Sequence, residues 1–401
     1  MAVFTPPRFG VCRGVPLPAD FTLLQVVPEL ETGGAEQTTL DVARAVIDAG
    51  GRALVATRGG RMTARLEADG ARLAQMPVQS KNPLVMLGNA ARLVDLIRRE
   101  KVSLVHARSR APAFSALWAA QATKTPFVAT YHGVYMAKSG VKRWYNAVMT
   151  RGDLVIANSD YTRDHVLAEH HLDPAKIVTI PRGVDLDRFN PSYVTPDRLE
   201  KLRSDWGIAA TDRRTKFLLA GRLTRIKGHL TIIDAAARMR AQGRTDFVVI
   251  FAGDDQGRTE YGEELAKATA NAGLADQVKV VGHCSDMPAA YLVSDVAILP
   301  TIVPESFGRA AVEPQAMGRP VIASNHGGTV ETVADGVSGW LVAPGDASAW
   351  AAAMIKAIDL GPGKRGEMGQ LGMNRTRQLY RVDAMCAATL AAYEQVLEAR
   401  S

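Results

Sequence analysis

IVTIPRGVDLDRFNP (177–191) divides this sequence in two. The stretch holds two prolines and one glycine and shows no helical period. Proline fixes φ and removes a backbone donor, so such a stretch ends regular structure rather than continuing it. On either side of it the same pattern recurs: short apolar runs of strand length alternate with amphipathic stretches of helix length. That alternation specifies a mostly parallel sheet with helices on both faces. The reading is therefore α/β, with two doubly wound Rossmann-like domains and 177–191 as the transition.

Before the transition, FTLLQVVP (21–28), RALVATRG (52–59), SLVHAR (103–108), PFVATYH (126–132) and DLVIANS (153–159) read as strands. Residues 34–50 and 89–101 carry helical periods. After it, KFLLAGR (216–222), DFVVIFAGD (246–254), VKVVGH (278–283), VAILP (296–300), RPVIASN (319–325) and GWLVAP (339–344) read as strands, with a helix near 228–241. An amphipathic helix over 377–400 is long enough to cross a domain boundary. The expected division is a loose extension (1–19), a first domain (20–188, with 377–401 returning to it) and a second domain (189–376). A chain of 401 residues exceeds one ordinary core and suits two domains of about 150–200 residues each. Two such domains facing each other leave a deep cleft at the carboxyl ends of their strands, where open α/β sheets bind ligands.

Hydrophobic residues make up 47% of the chain and charged residues 22%, a soluble globular balance. No apolar run reaches the ~18 residues of a membrane span. Pro6, Pro7, Pro16 and Pro18 interrupt any signal-peptide core in the first twenty residues. Cys12, Cys284 and Cys386 are far apart and odd in number, which fits a reducing compartment and neither a disulfide framework nor a metal site. The expected location is cytoplasmic. The charge is one-sided: residues 1–190 hold 24 Lys+Arg against 17 Asp+Glu, a formal +7, and the remainder is neutral. A basic half points to an anionic partner or to a solubilising surface. No RNA-binding or helix-turn-helix signature accompanies it, so nucleic acid is not expected.

Four glycine-marked strand ends carry the chemistry. ELETGGAEQ (29–37) sets Gly33 and Gly34 between strand and helix, where backbone can approach a phosphate or sugar. It is not the dinucleotide G-x-G-x-x-G pattern. AGRLTRIKGH (220–229) brings Arg222 and Lys227 to a helix entry, an arrangement suited to a diphosphate. It is no P-loop, because Gly228 follows the lysine. PESFGRAAVEP (304–314) puts Glu305 in a loop and Glu313 in the following helix. Eight residues of helix span roughly 12 Å, the order of the distance from a ribose to a sugar across a diphosphate. Carboxylates accept hydrogen bonds from vicinal hydroxyls. SNHGGTVETV (324–333) offers a further glycine pair before a helix.

Other features are weaker. ATYHGVY (129–135) places His132 at a strand end, and VGHCSD (281–286) places His283 at another, a candidate for ligand contact. Asp185 and Asp187 have the spacing of a metal-holding D-x-D pair, but lie in the transition beside Arg182 and Arg188; no metal is assigned. HARSRAPAF (106–114) and MAKSGVKRWYNAV (136–148) cluster cations: Arg108, Arg110, Lys138, Lys142 and Arg143, with Trp144 and Tyr145 adjacent. Cations beside interfacial aromatics suit an anionic membrane surface, and equally a solvated helix face.

Taken in order, GGAE (33–36), YHG (131–133), IPRGVDLDRF (180–189), GRLTRIKG (221–228), PESFGRAAVEPQAMGRPVIAS (304–324) and GGTVETVADGVSGWLV (327–342) resemble the GT-B glycosyltransferases of family 4 over about residues 20–400. The resemblance implies a retaining, metal-independent hexosyltransferase that needs no cofactor and uses a nucleoside-diphosphate sugar. It implies that Glu313 binds the ribose and Glu305 the donor sugar, and that Arg222 and Lys227 hold the diphosphate. Gly308 and Arg309 would lie near phosphate and sugar, with Ser306 and Phe307 in the same donor-binding loop. His132 would lie near the donor sugar, and Gly33 and Gly34 between donor phosphate and acceptor. With the basic first half, the expected acceptor is a saccharide or a phosphorylated lipid-linked molecule, such as a lipopolysaccharide core, met at the inner face of the membrane. A nucleotide-sugar epimerase and a non-catalytic sensor are the competing readings. Two residues depart from the family pattern. Arg182 replaces an Asn, with an effect expected on the hinge only. Pro314 replaces an Ala, so the helix is expected to start near 310 or to bend.

Overall fold

The structure, a computed structural model, describes residues 17, 18, 20–31, 33–135, 137, 139–255, 257 and 259–400. The expected loose extension therefore falls, apart from residues 17 and 18, outside the described residues, as does Lys138. The chain forms two compact units. One runs to Gly183 and resumes at Val382; the other is Val184–Arg381.

The first unit is a seven-stranded parallel sheet. Its strands are β1 (Thr22–Val26), β2 (Arg52–Thr57), β3 (Arg72–Gln75), β4 (Leu104–Ala107), β5 (Phe127–Tyr131), β6 (Leu154–Ala157) and β7 (Ile177–Thr179), in the order β3-β2-β1-β4-β5-β6-β7. The central strands are buried on both faces, which is why TLLQV and LVIA read as near-continuous apolar runs. Alternate residues serve opposite faces: Leu24 and Val26 join one core, Leu23 and Val27 the other. The helix before β4 spans Pro83–Glu100 and begins earlier than its period indicates. Asn82 caps it by accepting from the Leu84 N–H, and Pro83 occupies the first turn, where a missing N–H costs nothing.

Two strands are corrections to the sequence reading. Arg72–Gln75 is half polar, and Ile177–Thr179 belongs to the sheet edge rather than to the transition.

The second unit is a six-stranded parallel sheet of β8 (Thr215–Ala220), β9 (Phe247–Ala252), β10 (Val278–Gly282), β11 (Val296–Leu299), β12 (Val321–Ser324) and β13 (Gly339–Val342). Its order is β10-β9-β8-β11-β12-β13. The order reverses between β8 and β11, which pair directly in the register Val296 with Phe217 and Ala297 with Leu218. Ligands of open α/β sheets bind beyond the carboxyl ends of strands at such a reversal.

The helix expected over 377–400 is two helices. Gly361–Leu379 belongs to the second unit and Val382–Glu398 to the first. The break is at Tyr380. Its ring is buried against Phe307 at 5.5 Å and its hydroxyl donates to the Glu331 carbonyl at 2.8 Å. The backbone leaves helical geometry at the same residue, with φ −128° and ψ 41°.

Candidate nucleotide-sugar site

The loops after β8 and β11 lie side by side because their strands pair. The β8 loop closes on the β11 end at Gly228, whose φ is +76° and whose Cβ position is filled by the Pro300 carbonyl. Only glycine meets both conditions there. This contact fixes the backbone that carries Lys227. Its ammonium lies 2.6 Å from Glu305 Oε1, with the lysine side chain 17% and the glutamate side chain 27% exposed. Arg222 opens the same loop, its side chain exposed.

Glu305 is held through its backbone by the fourth glycine motif. It forms an isolated parallel bridge with Gly327, and its carbonyl accepts from the Gly328 N–H at 2.7 Å. SNHGG therefore supports the loop that carries the first glutamate.

The helix Arg309–Ala316 starts at Gly308, with φ of +88°. A left-handed residue at this entry turns the chain sharply from loop to helix at no cost only if it is glycine. Glu313 lies one turn in. Its Oε1 accepts from Arg309 Nη2 at 2.6 Å, and its Oε2 from the Tyr291 hydroxyl at 3.2 Å. Tyr291 is 1% exposed, and burial raises its hydroxyl well above the ordinary tyrosine value, so it remains a donor. Sequence reading missed Tyr291; a buried tyrosine must find a partner, but nothing in the sequence says which.

Pro314 sits inside this helix. The helix starts at Arg309, one residue before the expected point. The segment ends at Ala316, so the lost bond falls in its last turn, and Glu313 keeps both partners. Phe307 is a core residue, 2% exposed. Ser306 is partly buried beside it, and His283 is exposed at the end of β10.

In the first unit, His132 follows β5 and receives a hydrogen bond from Arg182: Nη2 donates to Nδ1 at 2.7 Å. Arg182 thus acts on His132, which corrects the expectation that it affects only the hinge. Burial, then the Arg182 and Arg108 charges, push the His132 imidazole well below the ordinary histidine value. Gly33 is extended, φ −174°, at the entry to the helix Gly34–Asp48. Any residue adopts that φ, so the glycine is not required by conformation.

The clustered cations Arg108, Arg110, Lys142 and Arg143, candidates for acceptor binding as well as for a membrane surface, do not form one set. Arg108 is 2% exposed and its Nε donates to Gln25 at 2.6 Å, so the surface role expected of it is corrected. Arg110 lies 3.7 Å over the Tyr135 ring and donates to Asn146 at 2.7 Å. Arg143 pairs with Glu169 at 3.0 Å. Lys142 is exposed.

The second-unit site offers two carboxylates, each with a cation at 2.6 Å, around a helix entry whose N–H groups favour negative charge. Hydroxyls can be bound by the carboxylates and phosphate oxygens by the cations. Asp185 is occupied otherwise: its Oδ1 accepts from the N–H groups of Asp187 and Arg188. Among the described residues, no three His, Cys, Asp or Glu side chains group to hold a metal ion, and no helix is long and apolar enough to cross a membrane.

Comparison with known proteins places this geometry in a family. Residues 32–188 match Glycosyltransferase Family 4, and residues 201–375 match Glycosyl transferases group 1. A D-inositol 3-phosphate glycosyltransferase of Geodermatophilus obscurus is 32% identical over 263 residues, which is 63% of this chain and 55% of that protein. The match thus spans little more than half the length of that curated relative. The crystal structure of a glycosyltransferase from Rickettsia africae superposes with a TM-score of 0.87 at 32% identity, covering 95% of this chain and 99% of that one. The Anabaena HepE protein in complex with UDP and glucose gives 0.81 at 25% identity, covering 93% and 100%. The chain belongs to the family 4 glycosyltransferases of the GT-B fold.

Proposed function

We propose that this protein is a retaining glycosyltransferase that moves a hexose from a nucleoside-diphosphate sugar to a hydroxyl of a phosphorylated acceptor. The observation that carries the proposal is the pair of carboxylate–cation contacts, Glu305 with Lys227 and Glu313 with Arg309, set at the β8–β11 reversal. Glu313 binds the ribose hydroxyls and Glu305 those of the sugar. Lys227 and Arg222 face the diphosphate. The bond between the anomeric carbon and the diphosphate oxygen breaks, and negative charge grows on the departing oxygens. Fixed cations and a helix N-terminus stabilise that charge. The acceptor oxygen bonds to the same face of the sugar, and its proton passes to the leaving phosphate oxygen. HepE, with UDP and glucose in its crystal, supports a uridine donor.

The phosphorylated acceptor is supported by the formal +7 of residues 1–190 and by the D-inositol 3-phosphate named for the curated relative. A phosphorylated lipid-linked saccharide, such as a lipopolysaccharide core, presents the same chemistry. For that source the protein contacts an anionic bilayer at its inner face, through Val141 and Trp144, 79% and 58% exposed, beside Lys142. Acceptor-dependent release of UDP from UDP-glucose, with D-inositol 3-phosphate in one arm and vesicle-borne phosphorylated saccharide in the other, tests the reading. Proton NMR of the product reads the anomeric configuration. UDP release in neither arm, or an inverted product, rejects the corresponding part.

A further inference from the structure

His132 and Arg182 come from different strand ends of one sheet, after β5 and after β7, and meet at 2.7 Å between Nδ1 and Nη2. A guanidinium has five N–H donors, no acceptor, and a charge it does not lose in a folded protein. The bond therefore runs in one direction: Arg182 donates and Nδ1 accepts. A neutral imidazole that accepts at Nδ1 carries its proton on Nε2. The imidazolium form would point an N–H at an N–H beside a fixed positive charge. The Arg108 guanidinium adds to the pressure against that charge.

We infer that Arg182 is a positioning residue: it fixes His132 as the neutral Nε2–H tautomer, so that His132 serves the transfer as a hydrogen-bond donor and not as a general base. Its partner in the reaction is then an oxygen with a free lone pair, a sugar hydroxyl or a phosphate oxygen. The acceptor's proton has to go to another group. The role in transfer rests on the proposed function; the tautomer does not.

Long-range proton–nitrogen correlation spectra of the full chain, labelled with nitrogen-15 at histidine, read the tautomer directly. His132→Gln identifies the resonances by their loss. At pH 7 the expected His132 pattern is Nε2–H, neutral. Arg182→Lys keeps a donor-only cation and keeps the pattern. Arg182→Gln supplies a side chain that donates or accepts, so the Nδ1–H form becomes populated and kcat for UDP-glucose falls about tenfold, with Arg182→Lys recovering most of it. A role for Arg182 in folding alone leaves the Gln variant's tautomer unchanged. A wild-type His132 that is Nδ1–H or doubly protonated at pH 7, or an Arg182→Gln spectrum identical to wild type, overturns the inference. Nε2–H in wild type without sugar transfer rejects the proposed function and leaves the tautomer assignment standing.

Discussion

Lys227 Nζ lies 2.6 Å from Glu305 Oε1, joining residues 78 positions apart in the loops after β8 and β11. Each side chain is less than a third exposed, and each supplies the other's counter-charge. In the proposed function, the carboxylate serves the sugar hydroxyls and the ammonium the phosphate.

Lys227→Ala is expected to lower kcat by about 10²–10³-fold, the scale of losing one fixed stabiliser of developing charge. The unfolding temperature should stay within a few degrees of wild type, because Gly228, not Lys227, sets the loop backbone. Steady-state UDP release and thermal unfolding measure the two. Wild-type kcat in this variant would falsify the role of Lys227.

Tyr291 aims Glu313. Tyr291→Phe removes the hydroxyl that donates to Glu313 Oε2 and leaves the buried ring. The acceptor is a carboxylate, and a hydrogen bond to a charged group is worth about 1.5 kcal/mol or more, so KM for the donor is expected to rise by roughly tenfold while kcat changes less. An unchanged KM would show that Arg309 alone orients the carboxylate.

Much of the fold was readable because central parallel strands are buried on both faces and so are written as apolar runs. Arg72–Gln75 escaped because it is a half-polar edge strand, and Ile177–Thr179 because it is only three residues long. The glutamates, Lys227 and the glycine turns were legible as local motifs. Contacts between distant positions were not: Tyr291 with Glu313 and Arg182 with His132 leave no trace in local spacing. Arg108 was misread as a surface cation. One signal was available, since the run SLVHA that Arg108 continues is of the near-continuous kind written for strands buried on both faces, as β4 is. Pro314 looked disruptive because propensity rules describe helix interiors, whereas this helix ends two residues later.

His229 gives a pH test of the second unit. It is fully buried, edge-on to Phe251 at 4.9 Å, and burial pushes its imidazole down to about 4. The unfolded chain titrates near the ordinary 6.5. Between these values the unfolded state binds more protons, so stability falls as pH falls through 6.5 toward 4, and this contribution is flat above 6.5. The share of His229 is about 3 kcal/mol across that window. Urea unfolding of wild type and His229→Phe at pH 7, 6, 5 and 4.5 should show a shallower acid loss in the variant. Parallel curves would mean that His229 protonates in the folded state without cost.

The most direct test of the central claim is calorimetric titration of UDP-glucose, GDP-mannose and ADP-glucose into wild type and into Glu313→Gln. The expected result is that at least one nucleotide sugar binds wild type and binds Glu313→Gln at least tenfold more weakly, with UDP-glucose the tightest. Absence of binding for all three to wild type, or equal affinity in the variant, contradicts a nucleotide-sugar site at the β8–β11 reversal.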